Sequence, residues 1–305
     1  ERRRPKRRDE QSDQTGQADD NFAHTRQRGN SLTGCDQTHS RWFDFILPFI
    51  PDFRLLRMWF RLTLVLAATS LAPGCATTPS AELVHGSLDN ECVVLLHGLN
   101  RSARAMNDMA EALQKAGYST ANTDYPSQLG TIEELAPMAV DTGLDHCRET
   151  GADTIHFVTH SMGGILLRYR QQQDPIPELG RVVMLGPPNR GSEIVDEFRD
   201  WGGATEIISG PAGMQLGTDE DGVPAGLGPV DFELGIIAGV GSINPWLSAV
   251  LPGYDDGTVT VESTRLPGMT DFMIVDSSHS FLMNSQTVIR NTVAFLQTGS
   301  FPRTR

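Results

Sequence analysis

Cysteine is scarce in this 305-residue chain: four residues, at 35, 75, 92 and 147, none in a Cys-x-x-Cys pair. That spacing leaves a zinc site or a thioredoxin-like redox centre without support. Long apolar runs are missing near the N-terminus, where residues 62–71 form a stretch of only ten. A membrane span needs about 20. Basic residues thin out beyond residue 61. Residues 1–61 carry 12 Lys/Arg and 9 Asp/Glu, whereas residues 62–305 carry 13 and 29. So acidic a body offers no patch to neutralise phosphates, which argues against a nucleic-acid partner and for a role of the charge in solubility. Of eight histidines, only His279 lies beyond residue 161. Residues 85–305 show no repeat and no low-complexity tract.

What is present begins with 41 residues rich in Arg, Gln, Asp, Thr and Ser. They have almost nothing to bury and cannot offset chain entropy, so disorder is the expectation. Met58 reads as a translation start, which makes residues 1–57 an upstream or non-native extension. From there "MWFRLTLVLAATSLAPGC" has the form of a signal peptide over 58–75: a positive charge at Arg61, the ten-residue apolar core, then small residues. Gly74-Cys75 resembles a bacterial lipoprotein cleavage site, although Pro73 departs from that pattern. The resemblance implies export to the cell envelope or periplasm, with membrane contact through a lipidated Cys75. Ordinary export with an incidental cysteine is the alternative. Residues 76–88 read as a polar tether. An exported chain meets an oxidising compartment, where Cys92 and Cys147 either pair or stay as buried thiols.

From residue 89 to 305 the pattern is one α/β domain. "CVVLLHG" is a doubly buried strand. A helix follows with Met106, Met109, Ala110 and Leu113 at helical spacing, closed by Gly117. "STANTDYP" and "TIEELAPMAVDTGLDHC" repeat the strand-helix order, the helix carrying Pro137. "TIHFVTH" leads into "MGGILLRYRQQ", then "RVVMLGPP". Further strands are expected at 233–240 and 271–278, and a closing helix at "SQTVIRNTVAFLQTG". Alternation of this kind predicts a mostly parallel sheet of about six strands with helices on both faces. Reactive groups in such sheets collect at the carboxyl ends of the strands.

One serine stands at such an end. Ser161 joins the third expected strand to its helix, within "IHFVTHSMGGILLRYR". A tight strand-turn-helix bend strains the serine backbone and requires small residues two positions away on either side. Here they are Thr159 and Gly163. A serine that merely caps the helix is the plainer reading. The stretch resembles the G-x-S-x-G nucleophile elbow of the α/β-hydrolases, with Thr159 in place of the first glycine. The T-H-S-M-G-G form is similar to small bacterial esterases and lipases of that superfamily.

That resemblance implies the rest of a site. The superfamily order is serine, acid, histidine, which makes His279 the base. Asp256, in a D-G-x-V turn, is the expected acid, with Asp255 the runner-up and Asp276 a distant third. The loop "HGLN" resembles an oxyanion loop, so the backbone amides of Leu99 and Met162 would face the developing oxyanion. His97 and His160 read as structural. Asn189 and Arg190 either edge the pocket or turn the chain. The implied activity is cleavage of carboxylic esters, small-molecule or lipid, through an acyl-enzyme, with no metal or organic cofactor. Thioesterase, amidase or acyltransferase chemistry on the same site is the alternative, as is a non-catalytic envelope lipoprotein with a hydrolase-like shell. Oligomeric state is left open. Residues 189–254 hold Gly-rich loops and, apart from "SEIVDEFRDW" and the strand at 233–240, show little apparent order, readable as a cap or as surface loop. Trp246, Leu247 and Leu251 suggest an apolar lip there.

Overall fold

The computed structural model describes residues 78–303, apart from 89, 200–203 and 244. The extension over 1–57 and the signal-peptide segment over 58–75, with Cys75, lie outside the described residues. The described chain falls within a single compact unit, Leu71–Arg305.

Seven strands form its sheet: β1 (Ser80–Val84), β2 (Glu91–Leu96), β3 (Ser119–Asp124), β4 (Thr154–His160), β5 (Leu179–Leu185), β6 (Leu234–Gly239) and β7 (Asp271–Val275). Their order across the sheet is β1-β3-β2-β4-β5-β6-β7. All neighbours are parallel except β1, which runs antiparallel to β3. Six of these strands coincide with expectation. The seventh, β1, lies inside the segment expected to be a tether. Its sequence, SAELV, is short and only partly buried. No hydrophobic run announces such an edge strand; pairing with β3 is what orders it.

The central strands are apolar throughout because both of their faces are covered. On one face lie α2 (Ile132–Glu149) and α3 (Met162–Gln173), whose Ile132, Leu135, Leu144, Ile165 and Leu166 pack against Val94, Phe157 and Val182. On the other lie α1 (Asn107–Lys115) and α9 (Gln286–Thr298), whose Met109, Leu113, Val288 and Phe295 meet Val93, Val158 and Ile237. The α2 helix tolerates Pro137 near its start and is held by a capping box, in which the Thr131 and Glu134 side chains each bond the other's amide. Gly299, at φ +76°, ends α9.

Residues 189–254 are more ordered than their composition suggests. They hold α4 (Glu193–Arg199), α5 (Ala204–Met214, two segments meeting at Gly210), α6 (Val223–Gly226) and α7 (Pro245–Ser248). Tertiary hydrogen bonds supply what propensity lacks. Ala212 N–H donates to Gly130 O (3.0 Å) and Ile132 N–H to Gln215 Oε1 (2.7 Å). Arg168 of α3, 3% exposed, donates to Asn189 O and Oδ1 and to Leu227 O and Gly228 O. Of the expected apolar lip, Trp246 is exposed but Leu251 is buried. One further short helix, α8 (Val261–Thr264), follows residue 254.

Cys92 and Cys147 form a disulfide, 55 positions apart, joining the start of β2 to the end of α2. Both are fully buried. Closing a loop of that length removes unfolded-state entropy of roughly 4 kcal/mol. Reduction, or the double variant C92A/C147A, is expected to lower the melting temperature by on the order of 10 °C. Calorimetry of the two forms checks this, and coincident melts would show that the bridge adds nothing.

Candidate active site

The site starts from a backbone constraint. Ser161 lies between β4 and α3 at φ +53°, ψ −124°, and Asn100 is the other non-glycine residue with positive φ among the described residues. A serine held there costs about 1–3 kcal/mol and persists only where its surroundings impose it. Those surroundings are tight. The Ser161 amide donates to Leu185 O (2.9 Å), and the Ser161 carbonyl accepts from Gly164 N–H (3.0 Å). A Cβ on Gly163 would come within 2.8 Å of both Leu96 O and His97 O, and one on Gly98 within 3.0 Å of Ser161 Cβ. Thr159, in the position expected to be small, fits because its Oγ1 faces Gly164, where a Cβ would approach to 3.2 Å. The TxSxGG form thus keeps one bare glycine against the threonine.

The imidazole beside Ser161 arrives from the far end of the chain. After β7 the chain enters a 3-10 turn, His279–Asn284. His279 Nε2 lies 2.9 Å from Ser161 Oγ, and Nδ1 lies 2.8 Å from Asp256 Oδ2. A carboxylate oxygen only accepts, so Nδ1 carries the proton and Nε2 offers its lone pair to the serine hydroxyl. The His279 amide also donates to Asp256 O (2.9 Å). All three residues are at most 9% exposed.

Asp256 is oriented by its own turn. Its Oδ1 accepts from Thr258 N–H (3.1 Å) and Val259 N–H (2.8 Å), which leaves Oδ2 for the imidazole. Asp255 serves a different purpose: its Oδ1 accepts from Gly257 N–H (2.7 Å) and from Ser248 Oγ (2.6 Å), tying the turn to α7. Asp276 is exposed.

Met162 is the first residue of α3, and Leu99 lies in the loop after β2. Neither amide donates to an acceptor among the described residues. The helix N-terminus adds a favourable dipole for an anion. His97 bonds loop backbone, as its Nδ1 lies 2.9 Å from Gly98 O. Sequence reasoning missed the residue that clamps it. Tyr125 stacks on His97 (4.0 Å between centroids, 10° between planes), and its hydroxyl donates to His97 O. Burial pushes the Tyr125 phenol far up, so it stays a donor. No spacing signals this contact, because Tyr125 follows β3 and His97 follows β2. Asn189 is another such tie: it receives Arg168 and donates to Thr264 O (2.8 Å). Arg190 faces outward and pairs with Glu262 at 2.6 Å. Against Leu99 sits α5, where a Cβ on Gly213 would meet Leu99 Cδ2 at 2.9 Å.

No family model matches the sequence, and no curated protein matches it. Solved structures do. The mature lipase BlEst2 of Bacillus licheniformis is 22% identical, with 70% of this chain and 94% of that chain covered at a TM-score of 0.57. Phospholipase PlaB of Legionella pneumophila is 16% identical, over 69% of this chain and 59% of that one, at 0.55. The monoacylglycerol lipase of Paleococcus ferrophilus is 18% identical, over 72% and 100%, at 0.50. At such identities the likeness concerns architecture: the chain has the α/β-hydrolase fold.

Two outcomes follow from this geometry. Asp256→Asn is expected to reduce kcat/KM for any reaction run by Ser161 about 10³- to 10⁴-fold, while Asp255→Asn costs at least a hundredfold less; equal losses would contradict the separate contacts of the two carboxylates. His160 is held well below the usual histidine range, by burial first and then by the charge of His279. The unfolded chain therefore takes up this proton near pH 6.5, and the folded one does not. The contribution of His160 is intact above that value and falls by about 1.4 kcal/mol per pH unit below it, and His156, also held low by burial, adds in the same direction. Urea midpoints at pH 7 and pH 5.5 measure the slope.

Proposed function

We propose that this chain is a serine hydrolase that cleaves carboxylic esters, esterase- or lipase-like, through an acyl-enzyme. The observation that carries the reading is the unbroken relay from Asp256 Oδ2 through His279 to Ser161 Oγ, with the serine held at positive φ at the head of a helix. A free serine hydroxyl is a weak nucleophile at neutral pH, and the adjacent imidazole removes that handicap. His279 Nε2 takes the hydroxyl proton as Ser161 Oγ attacks the ester carbonyl. Asp256 keeps the imidazole in the Nδ1–H form and stabilises the imidazolium. The amides of Leu99 and Met162 receive the oxyanion. Protonated His279 then passes its proton to the leaving alcohol. Water, deprotonated by the same nitrogen, cleaves the acyl-enzyme and restores Ser161. Every proton in this cycle moves through His279, and the residues present suffice without a metal or organic cofactor.

The named relatives of this fold are a lipase, a phospholipase and a monoacylglycerol lipase, which supports a lipid or other ester as the substrate. Location in the cell envelope belongs to the same proposal. It is supported by the signal-peptide form of residues 58–75 and by the buried Cys92–Cys147 disulfide, since such bridges persist in oxidising compartments.

Ser161→Ala is expected to lower kcat/KM on p-nitrophenyl esters by at least about 10⁴-fold without changing the melting transition. Retained activity would reject the assignment. Thioester and amide substrates assayed beside esters of graded chain length decide the acyl chemistry.

A further inference from the structure

His160 stands beside Ser161, yet the reaction above gives it no task. It closes β4 and is 2% exposed. Two contacts bind it to the base. Its Nε2 lies 3.0 Å from the main-chain oxygen of His279, and the two ring centroids are 4.8 Å apart at 47°. A carbonyl only accepts, so Nε2 carries the proton and Nδ1 the lone pair. Nδ1 is buried without a partner among the described residues. The ring's one hydrogen bond therefore goes to His279.

His279 needs such a tether. It is the first residue of a short 3-10 turn that follows the edge strand β7, and Ser278 supplies no side-chain cap to that turn. The Asp256 contacts fix one side of the imidazole. His160 approaches from β4, the same strand that delivers Ser161. The nucleophile and the support of its base therefore come from adjacent residues of one buried element.

We propose that His160 is a positioning residue for His279: its Nε2–H holds the His279 carbonyl and its ring backs the imidazole, so that His279 Nε2 stays on the Ser161 hydroxyl. The proposal rests on the serine-hydrolase reading. Its charge state suits the task. Burial is the largest influence on His160, and the charges of His279, Arg101 and His97 act in the same direction, against only its bond to His279. A neutral donor supports the base without opposing the imidazolium that forms during proton transfer.

Three variants test this: His160→Leu, His160→Asn and His160→Gln. The readouts are kcat and KM against pH, the rate at which a fluorophosphonate labels Ser161, and the melting temperature. Gln places an amide N–H where Nε2 stood; Asn is too short, and Leu has no donor. Leu and Asn are expected to lower kcat and the labelling rate about 10- to 100-fold with KM within about threefold, because small displacements of a reacting pair are costly. Gln is expected to recover activity to within about fivefold of the parent. Should Leu fail to fold, Gln against Asn carries the comparison. If Asn and Leu label at the parental rate, or if Gln rescues no better than Asn, His160 is packing only and the proposal fails. A parent that does not label at Ser161 overturns the hydrolase reading, and this proposal with it. Labelling of the parent with unaffected variants overturns this proposal alone.

Discussion

One backbone angle organises this molecule. Ser161 sits at φ +53° between a buried strand and a helix, and that conformation exists only because its neighbours leave it no other. Gly163 lies against the carbonyls of Leu96 and His97, and Gly98 against Ser161 itself. These close approaches bring the ends of β2 and β4 together, with the loop carrying Leu99 beside the serine. The helix that begins at Met162 follows directly on the serine, so a helix N-terminus lies beside the same loop. Larger residues at those glycines, or a looser joint, would part the serine from the loop it abuts.

A polar web turns that joint into a site. None of its members bonds for its own sake alone. Asp256 spends one oxygen on its own turn and the other on His279. Asp255 anchors the same turn to α7. Tyr125 clamps the loop through His97, and Arg168 with Asn189 ties α3 to the segment leaving α6. Buried groups of this kind are costly when unpaired, so each bond restricts where its neighbours can stand. The result is a set of loops, drawn from distant parts of the chain and tied to one another at the carboxyl ends of the strands.

How much of this was readable beforehand depended on the range of the signal. The strands β2 to β7 and the four long helices carry local patterns, apolar runs and helical spacing, that need no partner to be recognised. Ser161 was legible for the same reason: its joint is a local event, and small residues surround it within two positions. His279 was legible by scarcity, as the only histidine beyond Ser161. By contrast β1 was read as tether, because a short polar edge strand differs from a loop only by the strand it pairs with. The helices of residues 204–226 were hidden for a similar reason. Their Gly- and Pro-rich sequence has weak propensity, and bonds to residues 130, 132 and 168 hold them.

By itself the sequence determined the alternation of strands and helices and the strained serine joint, since each is encoded within a few neighbouring residues. Only the tertiary structure decided which of two adjacent aspartates meets the imidazole, that Cys92 and Cys147 join, and that His160 faces the backbone of His279. Those outcomes turn on side-chain direction and on contacts between positions 23 to 119 apart. Neither is written in local pattern, because both depend on where the packed sheet carries each strand end.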